Sequence, residues 1–293
     1  MPVGETLSST LGDALPEMII EARTVGEYAG TWERTCTVKR QQEGTGLAWT
    51  QFQIAQIESQ DISEAQENRN YQQFAGTLLQ SEPTMSQVII KVTDRTYRKA
   101  PKIVTSEFGK AAGRAMERKK DEDYLSLFST FSTAASPGSG NPLSHGHIAA
   151  AVANGNSNIT EPAMTAWSTV LHGFQEYDLQ LEVLAPIGTY QVQGMTEEVY
   201  RRGWKGTVAS SNVFEDGNIA IVSSNARGAS HPKEGIYAIM GMALKTERDR
   251  DLYFGGGADV VSMVDEYSFA ENTSRGTQVF AYAHLSDAAA PAS

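Results

Sequence analysis

His145 and His147 are the first side chains in this chain that invite a chemical reading. Separated by Gly146, they would share one face of a strand and could ligate a metal together. No third His or Cys follows at ligand spacing and the surroundings read as loop, so the pair is expected to be polar surface. Gly255-Gly256-Gly257 has the composition of a phosphate cradle but lacks the Lys-Ser/Thr ending that reaches phosphate, so it reads as a turn between strands. Gly138-Ser139-Gly140 lacks the five-residue elbow of a hydrolase nucleophile. His172 lies beside an apolar stripe and reads as a surface or hydrogen-bonded histidine. The sole cysteine, Cys36, excludes an intrachain disulfide and reads as a small buried strand residue. No catalytic, cofactor-binding or metal-binding residue is assigned, and the chain is not expected to be an enzyme.

What remains is a chain built for shape. Its 293 residues suffice for one large domain or two modest ones, with 40% apolar and 20% charged residues. No apolar run approaches the ~20 residues that span a bilayer, and Met1 to Leu15 lacks the pattern of a secretion signal. Glycosylation-type triplets at Asn158-Ile159-Thr160 and Asn272-Thr273-Ser274 are discounted for the same reason. The net charge of -11 argues against tight wrapping of nucleic acid, which needs clustered Lys and Arg, but not against enclosing it.

Residues 1–30 read as a polar arm, with Met18-Ile19-Ile20 and Ala22 as a short helix at most. Thr35 to Arg40 reads as a strand with Cys36 and Val38 on one side. Leu47 to Ile57 follows as a second, in which Phe52 and Ile54 alternate with Gln51 and Gln53 in the rhythm of a half-buried strand. A glutamine-rich polar stretch, Ser59 to Gln73, has little to bury. Gln87 to Arg98 reads as a strand with Val88, Ile90 and Val92 on one face. Residues 35–100 thus form a long extended excursion, reaching about 50 Å if fifteen residues pair. A two-stranded ribbon is marginal alone in water and needs a surface to lie on, for which a neighbouring copy of the chain is the leading candidate.

Pro101 and Thr105-Ser106-Glu107 then open the strongest helix signal. Phe108, Ala111, Ala112, Ala115 and Met116 recur at helical spacing, and Leu125 and Phe128 extend the stripe. A helix over 105–129 is ~37 Å long. The run Glu117 to Asp123 reads as its solvated face. Two Gly/Asn-rich loops are expected at 136–142 and 154–158. A second helix is expected over 161–176, carrying Met164, Trp167, Val170, Leu171 and Phe174. After it come a strand-turn-strand over Leu179 to Gln193, a short helix over Thr196 to Trp204, and a buried strand Ile219 to Val222. Asn225 to Pro232 reads as a loop. The C-terminal third reads as an antiparallel sheet of Ile236 to Lys245, Asp259 to Phe269 and Thr277 to His284.

The order of these elements, more than any motif, resembles the α+β Hong Kong 97-type fold of tailed-phage major capsid proteins. Local sequence adds to it. Thr105 to Glu107, running to Asp121-Glu122-Asp123-Tyr124-Leu125, is similar to the family's spine helix. Ile236 to Ala243 is similar to its late-returning strand, and Tyr267 to Tyr282 with Arg275-Gly276 to its closing hairpin. The resemblance implies an N-terminal arm at 1–34, an extended loop (E-loop) with flanking strands of the peripheral (P) domain at 35–100, and the spine helix at 101–130. The axial (A) domain would occupy most of 131–234 with P-domain crossings. Antiparallel P-domain strands would fill 235–285, with part of that stretch open to the A domain, and a disordered tail would follow at 286–293.

The resemblance further implies hexamers and pentamers closing an icosahedral shell in the virion, assembled in host cytoplasm around double-stranded DNA without sequence-specific binding. Portal and scaffolding proteins would be partners, a decoration protein could be added, and no membrane is involved. Some members cross-link an E-loop lysine to an asparagine. No lysine lies between Lys39 and Lys91, so no such bond is expected. The short stretch before the ribbon favours a separate scaffolding protein. The rivals are an encapsulin-type nanocompartment shell, a two-domain enzyme with an unrecognised site, and a phage decoration or tail protein.

Overall fold

The computed structural model describes residues 30–54 except 43 and 45, scattered positions between 57 and 72, and 76–99, 102–131, 133–158, 162–184, 206–253, 256–274 and 278–291. The expected helices around 18–22 and 196–204, and residues 185–193, lie outside the described residues.

The frame is a long antiparallel pair, β11 (Ile236–Asp251) and β12 (Ala258–Glu271). Both begin in alternating apolar sequence. In β12, Val261, Met263, Asp265, Tyr267 and Phe269 fall on one face. β1 (Thr37–Arg40) adds to β11 in parallel, and β4 (Thr84–Thr93) adds to β12 antiparallel, giving the order β1-β11-β12-β4. Register shifts between Met240, Met242 and Lys245 mark β-bulges that bend β11. The long helix α3 (Lys102–Ser126) lies along the sheet face that carries Asp265 and Tyr267.

The helix is held there by Ala112, Met116, Lys120, Tyr124 and Phe128, buried at spacings of four. The run Glu117 to Asp123 is only partly the solvated face expected of it. Lys120 is buried, its Nζ 2.9 Å from Asp265 Oδ2, and Asp121 is wholly buried. The sheet supplies an acid where the helix turns Lys120 inward, which a helix read alone does not show. The Tyr267 hydroxyl donates to Asp123 Oδ2 at 2.8 Å. At the C-terminal end of α3, Tyr124 packs edge-on against Phe128 (5.0 Å) and beside Phe269 (5.9 Å), and Trp32 closes on Phe269 at 5.8 Å.

Trp32 belongs to a one-turn helix, α1 (Trp32–Thr35), and Trp32, Thr35 and Cys36 are buried in the core rather than part of a free arm. The expected strand starts only at Thr37, leaving Cys36 buried but Val38 exposed. Burial pushes the Cys36 thiol up to about 12, which keeps it protonated and unreactive.

The second sheet has seven strands. Its path is β5 (Thr133–Ala134), β15 (Tyr282–Asp287), β10 (Asn225–Pro232), β6 (Trp167–Leu171), β8 (Ser211–Glu215) and β7 (Thr207–Val208), with β9 (Ile221–Val222) also on β10. Several expectations fail here. Residues 167–171 are a strand buried along its whole length, not helix. Trp167, Val170 and Leu171 fall at helical spacing with the polar Ser168 and Thr169 between them, so this fully buried strand reads as one face of a helix. Residues 225–232 form a central strand, not a loop. Its small residues are required by packing, since a Cβ on Gly228 would lie 2.6 Å from Leu171 Cδ2.

The apparent loop residues 145–156 form α4 (His145–Asn156), and residues 179–184 continue α5 (Gly173–Leu184) where a strand was expected. Gly155 closes α4 because Trp167 lies against it, 2.3 Å from where a Cβ would stand. Leu143, Ile148, Leu171, Leu179 and Val208 form the second core, under these helices. Ile221 and Val222 are exposed, not buried. The third C-terminal strand divides into β14 (Gln278–Val279), paired with β13 (Thr273–Ser274), and β15, which joins the seven-stranded sheet instead of β11–β12. Of the expected disordered tail at 286–293, Ser286 and Asp287 complete β15 and Ala288 is buried.

The excursion at 35–100 is anchored at both ends. β1 and β4 belong to the molecule's own sheet, and Gln87–Arg98 is not one strand but the end of β4 followed by α2 (Asp94–Lys99). The free ribbon is β2 (Trp49–Ile54) with β3 (Gly76–Ser81), six residue pairs or ~20 Å, not fifteen pairs.

Candidate assembly surface

His145 and His147 stand on the first turn of α4 and serve different partners. His145 Nδ1 lies 2.9 Å from Glu182 Oε2 on α5, whereas His147 Nδ1 lies 2.6 Å from the Ser144 hydroxyl that precedes the helix. No cluster of three metal-ligating side chains occurs among the described residues. His172 Nδ1 accepts the Phe174 N–H at 3.1 Å and so begins α5; burial lowers its pKa, with Glu215 acting against that. Gly256 and Gly257 have φ of +94° and +103°, turn geometry that favours glycine, while Gly255 lies outside the described residues. Gly138 and Gly140 likewise take positive φ in a turn.

The structure assembles two hydroxyl–imidazole chains that the sequence did not announce. In the seven-stranded sheet, Ser211, Thr169 and Ser230 hydroxyls follow at 2.7 Å each. Ser230 Oγ then meets His284 Nε2 at 2.6 Å, and His284 Nδ1 meets the Ala135 carbonyl at 2.5 Å. The carbonyl can only accept, so Nδ1 carries the proton and Nε2 accepts from Ser230. In the second chain, Tyr124 Oη lies 2.8 Å from His231 Nε2, and His231 Nδ1 donates to the Pro232 carbonyl at 3.0 Å. A serine on an oriented imidazole has the geometry of an activated nucleophile. Here Ser230, His231 and His284 are wholly buried, so no substrate atom reaches them. Burial depresses both imidazoles to about 4 and keeps them neutral. The first chain ties four strands together and the second ties α3 to β10, and the matching positions become visible only once these elements are packed.

The exposed surface shows the reverse chemistry. On the β2–β3 hairpin, the polar side chains face the molecule: Gln53 Nε2 donates to Asn272 Oδ1 at 2.5 Å, and Ser81 Oγ lies 2.9 Å from Ser268 Oγ. Trp49 lies 5.6 Å from the Tyr237 ring. The apolar side chains face outward, with Phe52 60%, Ile54 51% and Leu78 59% exposed. Phe52 and Leu78 are direct cross-strand partners, and the Phe52 ring covers Gly76, where a Cβ would lie 2.3 Å from Phe52 Cζ. Phe52 and Ile54, read from sequence as the buried face, are the outer face. Ile57, Ile62 and Tyr71 continue the exposed apolar surface beyond the paired residues.

A second exposed apolar set lies on the long sheet. Met85 and Ile89 alternate on the outer side of β4, and Leu244, Leu252 and Tyr253 lie toward the far end of β11–β12. Ion pairs brace that end: Arg250 to Asp94 and Lys91 to Asp251, each at 2.7 Å, and Arg248 to Asp259. Contiguous exposed apolar groups rimmed by charge mark a protein-contact surface more often than solvent-facing structure.

No protein-family model and no curated protein matches the sequence. Solved structures do match, over nearly the whole chain. The capsid of Ralstonia phage GP4 is similar at 12% identity, covering 93% of this chain and 95% of that one, with a TM-score of 0.67. The capsid of cyanophage P-SCSP1u is similar at 13% identity, covering 92% and 91%, with a TM-score of 0.69. The capsid asymmetric unit of cyanophage Pam1 is similar at 8% identity, covering 92% and 95%, with a TM-score of 0.70. At these identities the likeness is one of fold, and this chain has the α+β fold of phage capsid proteins.

Proposed function

We propose that this chain is a major capsid protein, which self-assembles into hexamers and pentamers and closes an icosahedral shell around packaged double-stranded DNA. One observation carries the reading: a hairpin in a phage-capsid fold turns Gln53 and Ser81 to its own subunit and Phe52, Ile54 and Leu78 away from it. Such a face is stable only when covered, and a second copy covers it at every position of a shell. In this reading the β2–β3 hairpin is the E-loop, α3 the spine of the P domain, and the seven-stranded sheet with α4 and α5 the A domain. The sealed imidazole chains fit a structural and not an enzymatic role.

The charge of -11 suits a wall that encloses DNA without gripping it. Portal and scaffolding proteins are partners of the reading, with a decoration protein as an addition, and the assembled product resides in the virion after assembly in host cytoplasm. Electron microscopy of the purified, concentrated protein is the test. Closed icosahedral particles, or hexamers and pentamers of shell curvature, are expected. A discrete small oligomer at all concentrations overturns the reading, and particles filled with a protein cargo in place of DNA point to a nanocompartment.

A further inference from the structure

Asp121, in the last two turns of α3, and Asp216, just after β8, are both wholly buried and are brought together by the same two residues, Thr31 and Asn218. Four donated hydrogen bonds surround the pair. The Thr31 N–H donates to Asp121 Oδ1 at 2.9 Å, and the Thr31 hydroxyl to Asp216 Oδ2 at 3.0 Å. The Asn218 side-chain amide donates to Asp121 Oδ2 at 3.0 Å, and its backbone N–H to Asp216 Oδ1 at 2.9 Å. Thr31 therefore touches both carboxyls and Asn218 mirrors it from the other side. Gly30 is pressed close as well, since a Cβ there would stand 3.1 Å from Asp121 Oδ1.

We propose that Asp121 and Asp216 share one proton and act as a proton-sensitive latch, fastening the root of the N-terminal segment at Thr31 onto the long helix and the seven-stranded sheet. Two carboxylates in hydrogen-bond contact in a buried site cannot both ionise cheaply. Two of the titratable groups facing them carry no charge. They are Tyr124, on the same helix, and Cys36, at the end of α1. Both are neutral, and the Asp121 charge raises the pKa of each. Among the cations, Lys233 acts on Cys36.

Burial first, then Asp121, push Asp216 from 3.8 up to about 7, while Asn218 and Thr31 pull the other way. The sign follows. A carboxyl whose folded pKa is raised binds its proton more tightly in the folded state. Its contribution is complete at low pH and is lost as pH rises from about 4 through about 7. Above that, two anions abut. Asp121 sits in a 25-residue helix and Asp216 directly follows a strand of the seven-stranded sheet, whereas Thr31 precedes a helix of four residues. Thr31 is the member that can give way. The proposal concerns a single chain and stands whether or not that chain builds a shell.

The test is amide exchange of residues 30–36 in the full-length protein between pH 6 and 8, corrected for the intrinsic pH dependence of exchange. Wild type is expected to lose tenfold or more of its protection there. Asp216→Asn, near-isosteric and uncharged, is expected to hold its protection constant. Constant protection in wild type, or a parallel fall in Asp216→Asn, overturns the latch. Should Asp216→Asn fail to fold, wild type labelled with 13Cγ-aspartate decides: an aspartate carboxyl titrating near 7 supports the shared proton, and all aspartates titrating below 5 refute it.

Discussion

Replacing Ile54 and Leu78 together by Thr tests the outward apolar face without disturbing the subunit. Thr keeps the β-branched shape a strand favours, and Phe52, which covers Gly76, is left in place. Fully burying a side chain of this size is worth about 1.5–3 kcal/mol, and somewhat more than half of each is still in solvent, so docking gains about 1–1.5 kcal/mol apiece. Removing both costs about 2–3 kcal/mol per hairpin contact, or roughly a 30- to 150-fold weaker association. The folded subunit should barely respond, because neither side chain supports its own core and surface changes stay within about 0.5 kcal/mol. The assay pairs sedimentation velocity over a concentration series with thermal unfolding of the dilute protein. The expected result is an unchanged unfolding midpoint and an assembly threshold raised by one to two orders of magnitude. Assembly of the double variant at the wild-type concentration would refute the claim that this face docks on a neighbour.

Three further outcomes follow from the fold. Gly155→Ala puts a methyl 2.3 Å from Trp167 Cζ2, and overpacking of this kind should cost about 1–3 kcal/mol in denaturant unfolding. The β9–β10 turn holds Ser223 and Ser224 at φ of +52° and +62°; the pair Ser223→Asn and Ser224→Gly, the residues this turn favours, should stabilise by about 1 kcal/mol. His284, held at about 4 by burial, contributes stability that is complete above pH 6.5 and is lost as pH falls toward 4. The stability gap between wild type and His284→Gln should therefore shrink by about 3 kcal/mol between pH 7 and pH 4, and a constant gap would contradict the buried neutral imidazole.

How much of this was legible in the sequence depends on whether an element carries its own burial signal. The long helix does, through Ala112 and Met116 at helical spacing, although it begins at Lys102, a turn before the start that Thr105 suggested. β11 and β12 do as well, through length and alternation. The strands β6 and β10 do not. Their Ser168, Thr169, Ser230 and His231 look solvent-loving, and only cross-strand partners such as the Thr169–Ser230 pair let them sit in a core. Lys120 and Asp121 are hidden similarly inside a charge run, because Asp265 and Thr31 are far away in sequence. The hairpin is the instructive case. Its period of two was plain, but periodicity defines two faces without saying which one turns inward. The usual assignment, apolar face inward, presumes that the core lies within one chain.

That presumption also separates a building block from an enzyme. A catalytic site must expose its reactive groups to a ligand while the apolar groups around them exclude water. In this molecule the ordering is inverted at both ends. Ser230, His231 and His284 are sealed, with every polar atom that matters already bonded to its own fold, and Phe52, Ile54 and Leu78 stand in solvent. Each exposed apolar group is a small cost to the isolated subunit that is recovered only on contact. The cost recurs on the ribbon and on the long sheet, two regions of one chain. A single small partner could cover one of them. Covering both together takes neighbours on more than one side, which the proposed shell of identical copies would supply.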